Sequence, residues 1–395
     1  MVYTKSINDL MINNRQIDFK IIEWDDICAS ARLGSFSPTG LAAEYHVMFQ
    51  LNNRYLNVEK QFSNIETAIR RIGDSFGENV KCVFKRYFVS DAVNQADFLH
   101  RQNESSAVSI VEQAPLNGTK VSVWAYFVSD CRVYADSETW IMERPARKHL
   151  FNTQLQTPLS DEALEIRSIF ESYIKSLARY KCTLKDNCIR TWIYVQGVDI
   201  HYMGMVNERK RIFEEQGLNP ETHFIASTGI EGRYTNPKSL ALMDAYGIEG
   251  IKPGQVRYLH APAHLNPTYE YGVTFERATS VDYGDRRHVF VSGTASINNK
   301  GEIVHPSDIV RQTGRTFENV GMLLKQAEAQ MSDVVQMIVY LRDIADYTVV
   351  SEYLETNYAK TPYVLVLAPV CRPGWLVEIE CIAIKAMKNS ELEEF

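Results

Sequence analysis

The sequence predicts an α+β protein built from three tandem units, each a sheet with packed helices. Three observations carry this. The first is a repeat. Residues 163–180 place apolar side chains at helical spacing, 184–199 follow as a β-branched and aromatic strand, and the same order returns at 308–327 and 331–346. The register is ungapped: Leu184 and Met331, Asp186 and Asp333, and Asp199 and Asp346 each stand 147 residues apart. The second is a fainter copy near the N-terminus, helical over 62–77 and strand-like over 79–91, whose final Asp91 aligns with Asp343. The third is a common ending of apolar stretch, turn and last strand, at 108–128, 224–248 and 363–384. Self-similarity in one fixed order marks repeated supersecondary units.

The remaining elements follow in order. Each unit opens with a strand pair, clearest at 273–304, where the alternation around Val289–Val291 runs into a hairpin turn at Asn298-Asn299-Lys300-Gly301. Residues 249–267, rich in Pro and Gly, read as the linker into that last unit. The expected units are therefore 1–130, 131–250 and 251–395, the first the most degenerate. A chain of 395 residues exceeds one compact core, and a third of it is a comfortable domain. Residues 387–395 are polar and acidic and read as a solvated tail.

Composition narrows the function. Apolar residues make up 45% and charged residues 23%, as in a globular protein, and the net charge of −7 argues against nucleic acid as a partner. No apolar run is long enough to span a membrane, and the N-terminus lacks the apolar region of a secretory leader. The seven cysteines are odd in number, irregularly spaced and without a CxxC, so a reduced, cytoplasmic compartment is expected. No HExxH, P-loop, GxGxxG or GxSxG occurs, so no cofactor or metal is expected and Ser-triad hydrolysis is disfavoured.

The segments VFVSGTASINNKGEIV, TFENVGMLLKQA, VVQMIVYLRDIADYTVVSEYL and VLVLAPVCRPGWLVEIECIAIKA resemble the RidA/YjgF family across the C-terminal third. That family forms small α+β domains assembled as trimers, with a ligand cleft between neighbours. The resemblance implies tandem RidA/YjgF-like units in a pseudo-threefold arrangement, and a monomer, because fused units satisfy each other's interfaces. From about residue 120 to 387 the chain further resembles the chorismatases, through CIRTWIYV, MVNERKRIF with STGI, YGVTFERA with SGTAS, and VCRPGWLVEIE. The implied substrate is chorismate, a dicarboxylate enol ether that releases pyruvate once its methylene is protonated.

Such a reaction needs a carboxyl acid with a raised pKa in a poorly solvated cleft, and cations for the carboxylates. Glu378 lies in an otherwise apolar strand, sharing a face with Glu380 opposite Val377, Ile379 and Cys381. It falls at the family's catalytic glutamate; the alternative is that both glutamates line a solvated edge. Cys371, seven residues earlier, matches the cysteine of the hydroxybenzoate-forming type, whereas Ala295 matches the alanine of the hydrolytic type. A cysteine before a strand is by itself more often a small buried apolar residue. Arg190 and Arg209 match substrate-binding arginines, and arginine's planar fork suits carboxylates. Arg190 aligns with Lys85 and Met337 in the ungapped repeat, and Lys210 or Arg211 is the alternative inward residue to Arg209. Tyr194 and Tyr269 match substrate-facing tyrosines, and Arg372 either binds a carboxylate or caps its turn.

The expected product is a hydroxybenzoate, the 3-isomer. Two other functions compete. An enamine/imine deaminase of the short RidA type uses an arginine clamp whose position here is Tyr363. A non-catalytic binding module needs only the pocket.

Overall fold

The computed structural model describes residues 17–99 and 105–395. Residues 1–16, read above as the start of a chain without an apolar leader, lie outside the described residues. The first sheet consists of β1 (Ile17–Trp24), β2 (Ala29–Phe36), β3 (Glu44–Leu51), β4 (Val80–Val89), β5 (Ala107–Glu112) and β6 (Val121–Ser129), ordered β1-β2-β3-β6-β4-β5. Helix α1 (Val58–Phe76) joins β3 to β4, and the single turn α2 (Ala96–Leu99) precedes β5.

The second sheet repeats this order as β7 (Arg132–Asp136), β8 (Thr139–Arg144), β9 (Arg147–Leu155), β12 (Ala241–Ile248), β10 (Cys188–Val195) and β11 (Ala226–Glu231). Its helices are α3 (Glu162–Ala178), the short α4 (Leu184–Asn187) and α5 (Val198–Glu215). The third repeats it again as β13 (Val256–Leu259), β14 (Ala278–Asp282), β15 (Arg286–Ala295), β18 (Val377–Ala386), β16 (Val334–Leu341) and β17 (Tyr363–Leu367), with α6 (Ile309–Gln326) and α7 (Tyr347–Tyr358). In each unit a three-stranded meander leads through a helix to a parallel pair, and the last strand inserts at the centre of the sheet.

The long helices start where a side chain meets an unpaired backbone amide. Asn57, Asp161 and Asp308 accept from the N–H three residues on, at 2.8, 2.9 and 3.0 Å. Such caps are worth about 1 kcal/mol each. Helix α6 then buries Phe317, Val320, Leu323 and Leu324 against its sheet.

The inner faces of the three sheets meet around the pseudo-threefold axis in one core, to which Phe84 and Trp124, Trp192 and Tyr246, and Phe290 and Ile382 contribute from successive units. Backbone hydrogen bonds join every pair of units: Glu112 N to Arg233 O at 2.7 Å, Glu231 N to Pro369 O at 3.2 Å, and Leu367 N to Ala114 O at 2.8 Å. No helix among the described residues is long and apolar enough to cross a membrane.

Four expectations need correction. Each unit opens with three strands rather than two, and β13 lies inside the segment read as a linker, where it completes the third sheet against β14. The turn at 298–301 forms, but an isolated bridge between Ile297 and Ile303 closes it instead of a strand pair. The tail is also packed. Phe395 is 2% exposed, with its ring edge-on to His149, Tyr283 and His288 and beneath the Arg286 guanidinium, because this aromatic pocket between units offers more than water does.

The last correction concerns register. The repeat slips by one residue where the four-residue α4 corresponds to a three-residue turn at 331–333. Trp192 pairs with Asp244 as Ile338 pairs with Glu380, and Trp192 and Ile338 are 146 apart. The counterparts of Arg190 are accordingly Phe84 and Gln336, not Lys85 and Met337.

Candidate active site

A cavity of about 150 Å³ lies between the second and third units. The second unit supplies Tyr202 and Arg209 from α5 and Ser227 and Thr228 from β11; the third supplies Arg277, Gly293, Ala295, Cys371, Arg372, Trp375 and Glu378. Two features of the chain make this wall. β15 bulges between Val291 and Thr294, which turns Gly293 toward β18. The segment 368–376 then crosses from β17 to β18 and carries Cys371 and Arg372 into the lining.

Glu378 sits on a central strand between β15 and β16 and is 5% exposed, so the solvated-edge alternative does not hold. Burial, and then the neighbouring carboxylate of Glu380, push its carboxyl up to about 8, against the pull of Arg190 and Arg277. At neutral pH it holds its proton. A Cβ on Gly293 would come within 2.1 Å of Glu378 Oε1, so only glycine lets the carboxyl occupy this place. Cys371 faces Glu378 and Tyr202, and burial drives its thiol up to about 12, so it stays protonated and acts as a compact wall rather than a nucleophile.

Arg209 is the inward residue of its helix: it is 1% exposed and reaches Ser227 Oγ at 3.5 Å, whereas Lys210 is exposed and Arg211 pairs at the surface with Glu208. Arg372 lies over the Trp375 ring at 4.9 Å. Arg277, which sequence reasoning missed, is buried and anchored on Asn266 O at 3.1 Å. Three guanidiniums therefore line one small cavity beside a protonated carboxyl, an arrangement able to hold a dianion and give it a proton.

The fold brings Glu378, Cys371, Arg209, Ala295 and Arg372 together, but not Arg190, Tyr194 or Tyr269. Arg190 and Tyr194 point from β10 into the inner core with Trp192. There Arg190 Nη2 binds Glu380 Oε2 at 2.8 Å, and the Tyr194 ring packs on Arg86 at 5.6 Å. Tyr269 is 48% exposed on a turn at 268–271, outside the cavity lining. Besides Arg277, the residues missed are Tyr202, Thr228, Gly293 and Trp375. Arg277 and Gly293 stand in the motifs YGVTFERA and SGTAS, which carried signal for them. Thr228 stands in STGI and Trp375 in VCRPGWLVEIE, whereas Tyr202 sits across the inter-unit gap, where no local pattern points.

Residues 278–385 match the family model described as endoribonuclease L-PSP. A RutC family protein of Pyrococcus abyssi is 36% identical over 100 residues, which is 25% of this chain and 78% of that protein. A 2-iminobutanoate/2-iminopropanoate deaminase of Mus musculus is 29% identical over 131 residues, 32% of this chain and 86% of that one. Among solved structures, a chorismatase superposes with a TM-score of 0.60 at 18% identity, covering 78% of this chain and 94% of its own. That likeness extends the shared fold beyond the C-terminal unit.

Proposed function

The chain belongs to the RutC family, within the RidA-like superfamily, and on that premise we propose that it cleaves chorismate to pyruvate and a hydroxybenzoate. One observation carries the reading: a buried carboxyl pushed up to about 8, and so protonated at neutral pH, faces a cavity lined by Arg209, Arg277 and Arg372. The arginines take the two carboxylates. Glu378 gives its proton to the enol methylene, which leaves an oxocarbenium-like centre at the ether carbon. The bond between ether oxygen and ring then breaks, its electron pair stays on oxygen, and pyruvate departs. The neighbouring hydroxyl on C4 shifts to the vacated C3 and leaves the positive charge on C4. C3 then loses its proton to Glu378 as the ring aromatises, so chorismate divides into pyruvate and 3-hydroxybenzoate with nothing added.

The alternative outcome is attack by water, which gives a dihydroxycyclohexadiene acid. Cys371 disfavours it, because an ordered water needs two to four polar partners and a protonated thiol offers little. Ala295, equally small, leaves room at the same wall. We place the 3-hydroxybenzoate route first.

The deaminase activity named for the mouse relative would need an arginine where Tyr363 stands. Tyr363 lies between the third and first units, under Arg32 at 4.5 Å and bonded to Glu355, away from the cavity.

The test is incubation with chorismate and assay of pyruvate and the aromatic product. Absence of pyruvate at every pH from about 5 to 9 would sink the proposal. Reaction in ¹⁸O-labelled water decides the product route, since aromatisation retains the ring oxygen of chorismate and hydrolysis introduces label.

A further inference from the structure

Behind the cavity floor, two positions along β18 from Glu378, the Glu380 carboxylate is 2% exposed and fully engaged by the second unit. Its Oε2 accepts from Arg190 Nη2 at 2.8 Å and from Thr228 Oγ1 at 2.5 Å, and its Oε1 accepts from Trp192 Nε1 at 2.7 Å. Thr228 Oγ1 also accepts from Arg190 Nη2 at 2.5 Å and from Gly293 N at 2.9 Å, so the same hydroxyl fixes the bulge that makes room for Glu378. Alternate residues of a strand are about 7 Å apart on one face. Within a buried interior, a fixed charge at that distance is weakly screened.

We propose that Glu380, held by Arg190, Trp192 and Thr228, is a positioning residue that keeps the neighbouring Glu378 carboxyl protonated at neutral pH. This rests on the reading of Glu378 as the acid and assigns Arg190 to the scaffold rather than to substrate. The charge is fixed from another unit by a guanidinium, a hydroxyl and an indole N–H. The structural counterpart in the second unit is Asp244, which takes Arg86 Nη2 of the first unit at 3.0 Å. An aspartate therefore serves at this strand position.

The groups facing Glu378 come from every element around it: Glu380 on its own strand, Tyr340 opposite on β16, Arg190 on β10, Tyr202 and Arg209 on α5, Arg277 before β14, and Cys371 and Arg372 on the crossing segment. Among them, Glu380 supplies the negative charge that opposes ionisation of Glu378.

The experiment titrates Glu378 directly, by infrared or ¹³C carboxyl NMR on the full chain, with Glu378→Gln identifying the signal. Wild type should titrate near pH 8. Glu380→Gln should lower that midpoint by at least one unit, roughly tenfold in proton affinity, and Glu380→Asp, which restores the charge, should leave it within half a unit of wild type. A folded Glu380→Gln with an unmoved midpoint overturns the proposal. If that variant does not fold, Arg190→Met is compared with Arg190→Met/Glu380→Gln: with the opposing guanidinium gone from both, the second should titrate at least one unit lower, roughly tenfold in proton affinity, and equal midpoints overturn the proposal. The kcat profile for chorismate should lose its alkaline limb at the same shifted pH with KM unchanged. Because the spectroscopic titration needs no substrate, a chain that ignores chorismate yet shows the shift would refute the chorismate reading and leave the role of Glu380 standing.

Discussion

A carboxyl that donates a proton near neutral pH must first be denied the water that its ionised form requires, and Glu378 is denied it by burial. The sign of its pH dependence follows. The acid form is active, so turnover should be near full a unit or more below 8, half at about 8, and fall toward tenfold per unit above it, while Glu378→Gln should lose about 10²–10⁴-fold in kcat with little change in KM. Stability runs with it. The folded value of about 8 lies above the ordinary 4.5, so the contribution is fully present below 4.5, declines from there, and levels off above 8. Glu378→Gln should therefore melt like wild type at pH 4 and be more stable at pH 9 by on the order of 4 kcal/mol, measurable by denaturation at the two pH values. A loss of stability at pH 9 would show that the carboxyl is stabilising as an anion. At the substrate end, Arg209→Ala and Arg277→Ala should each raise KM about 10–150-fold, through loss of a charge-assisted contact worth about 1.5–3 kcal/mol. Glu378 was legible in the sequence because a charge in an apolar strand needs a reason. Arg277 stands in YGVTFERA yet was passed over, since nothing in that motif announces its burial and its anchor on Asn266.

Elements carry their own lesson, clearest in β15. Its bulge places Gly293 against Glu378, so Gly293→Ala should push the carboxyl aside and lower kcat about 10²-fold while the melting temperature changes little. A variant with unchanged kcat would mean that Glu378 has room to spare. Helices α3 and α6 were readable to within one residue of their starts, Glu162 and Ile309 against 163 and 308, because apolar spacing acts within a few positions. Strand β13 and the packed tail were not readable, since nothing local in 249–267 or 387–395 announces a partner. Only the β14 edge and the pocket around Tyr283 and His288 give those segments something to bind. The slip at α4 belongs here too: a one-residue change reverses the face of every following side chain, and it moved Arg190 from a supposed counterpart of Lys85 to the position of Phe84. Phe395→Ala should destabilise the chain by about 3–5 kcal/mol, read as a lower denaturation midpoint, if the tail packs as a core element.

Three units of one topology make three clefts, and their side chains decide which of them works. Glu378 lies opposite Tyr340; at the same register Leu242 lies opposite Tyr194 and Ser122 opposite Phe88, so neither of the other clefts carries an acid at this position. Between the first and second units, the counterpart of Gly293 is Gln154, whose amide fills the gap and donates to Ile110 O at 2.9 Å, while Arg233 and Glu112 pair across the edge at 2.8 Å. Between the third and first, Arg32 covers Tyr363 and binds Ala359 O at 3.2 Å. Inter-unit contacts that a single-unit relative would make with separate copies are here made within the chain, which is the reason to expect a monomer of 45.2 kDa. Calorimetric titration of Glu378→Gln with chorismate, which should bind without turning over, ought to give one site per chain. Sedimentation of the same sample should give the monomer mass. Two or three sites per chain would mean that the filled clefts open for ligand, and a stable trimer would mean that the fused units still need partners.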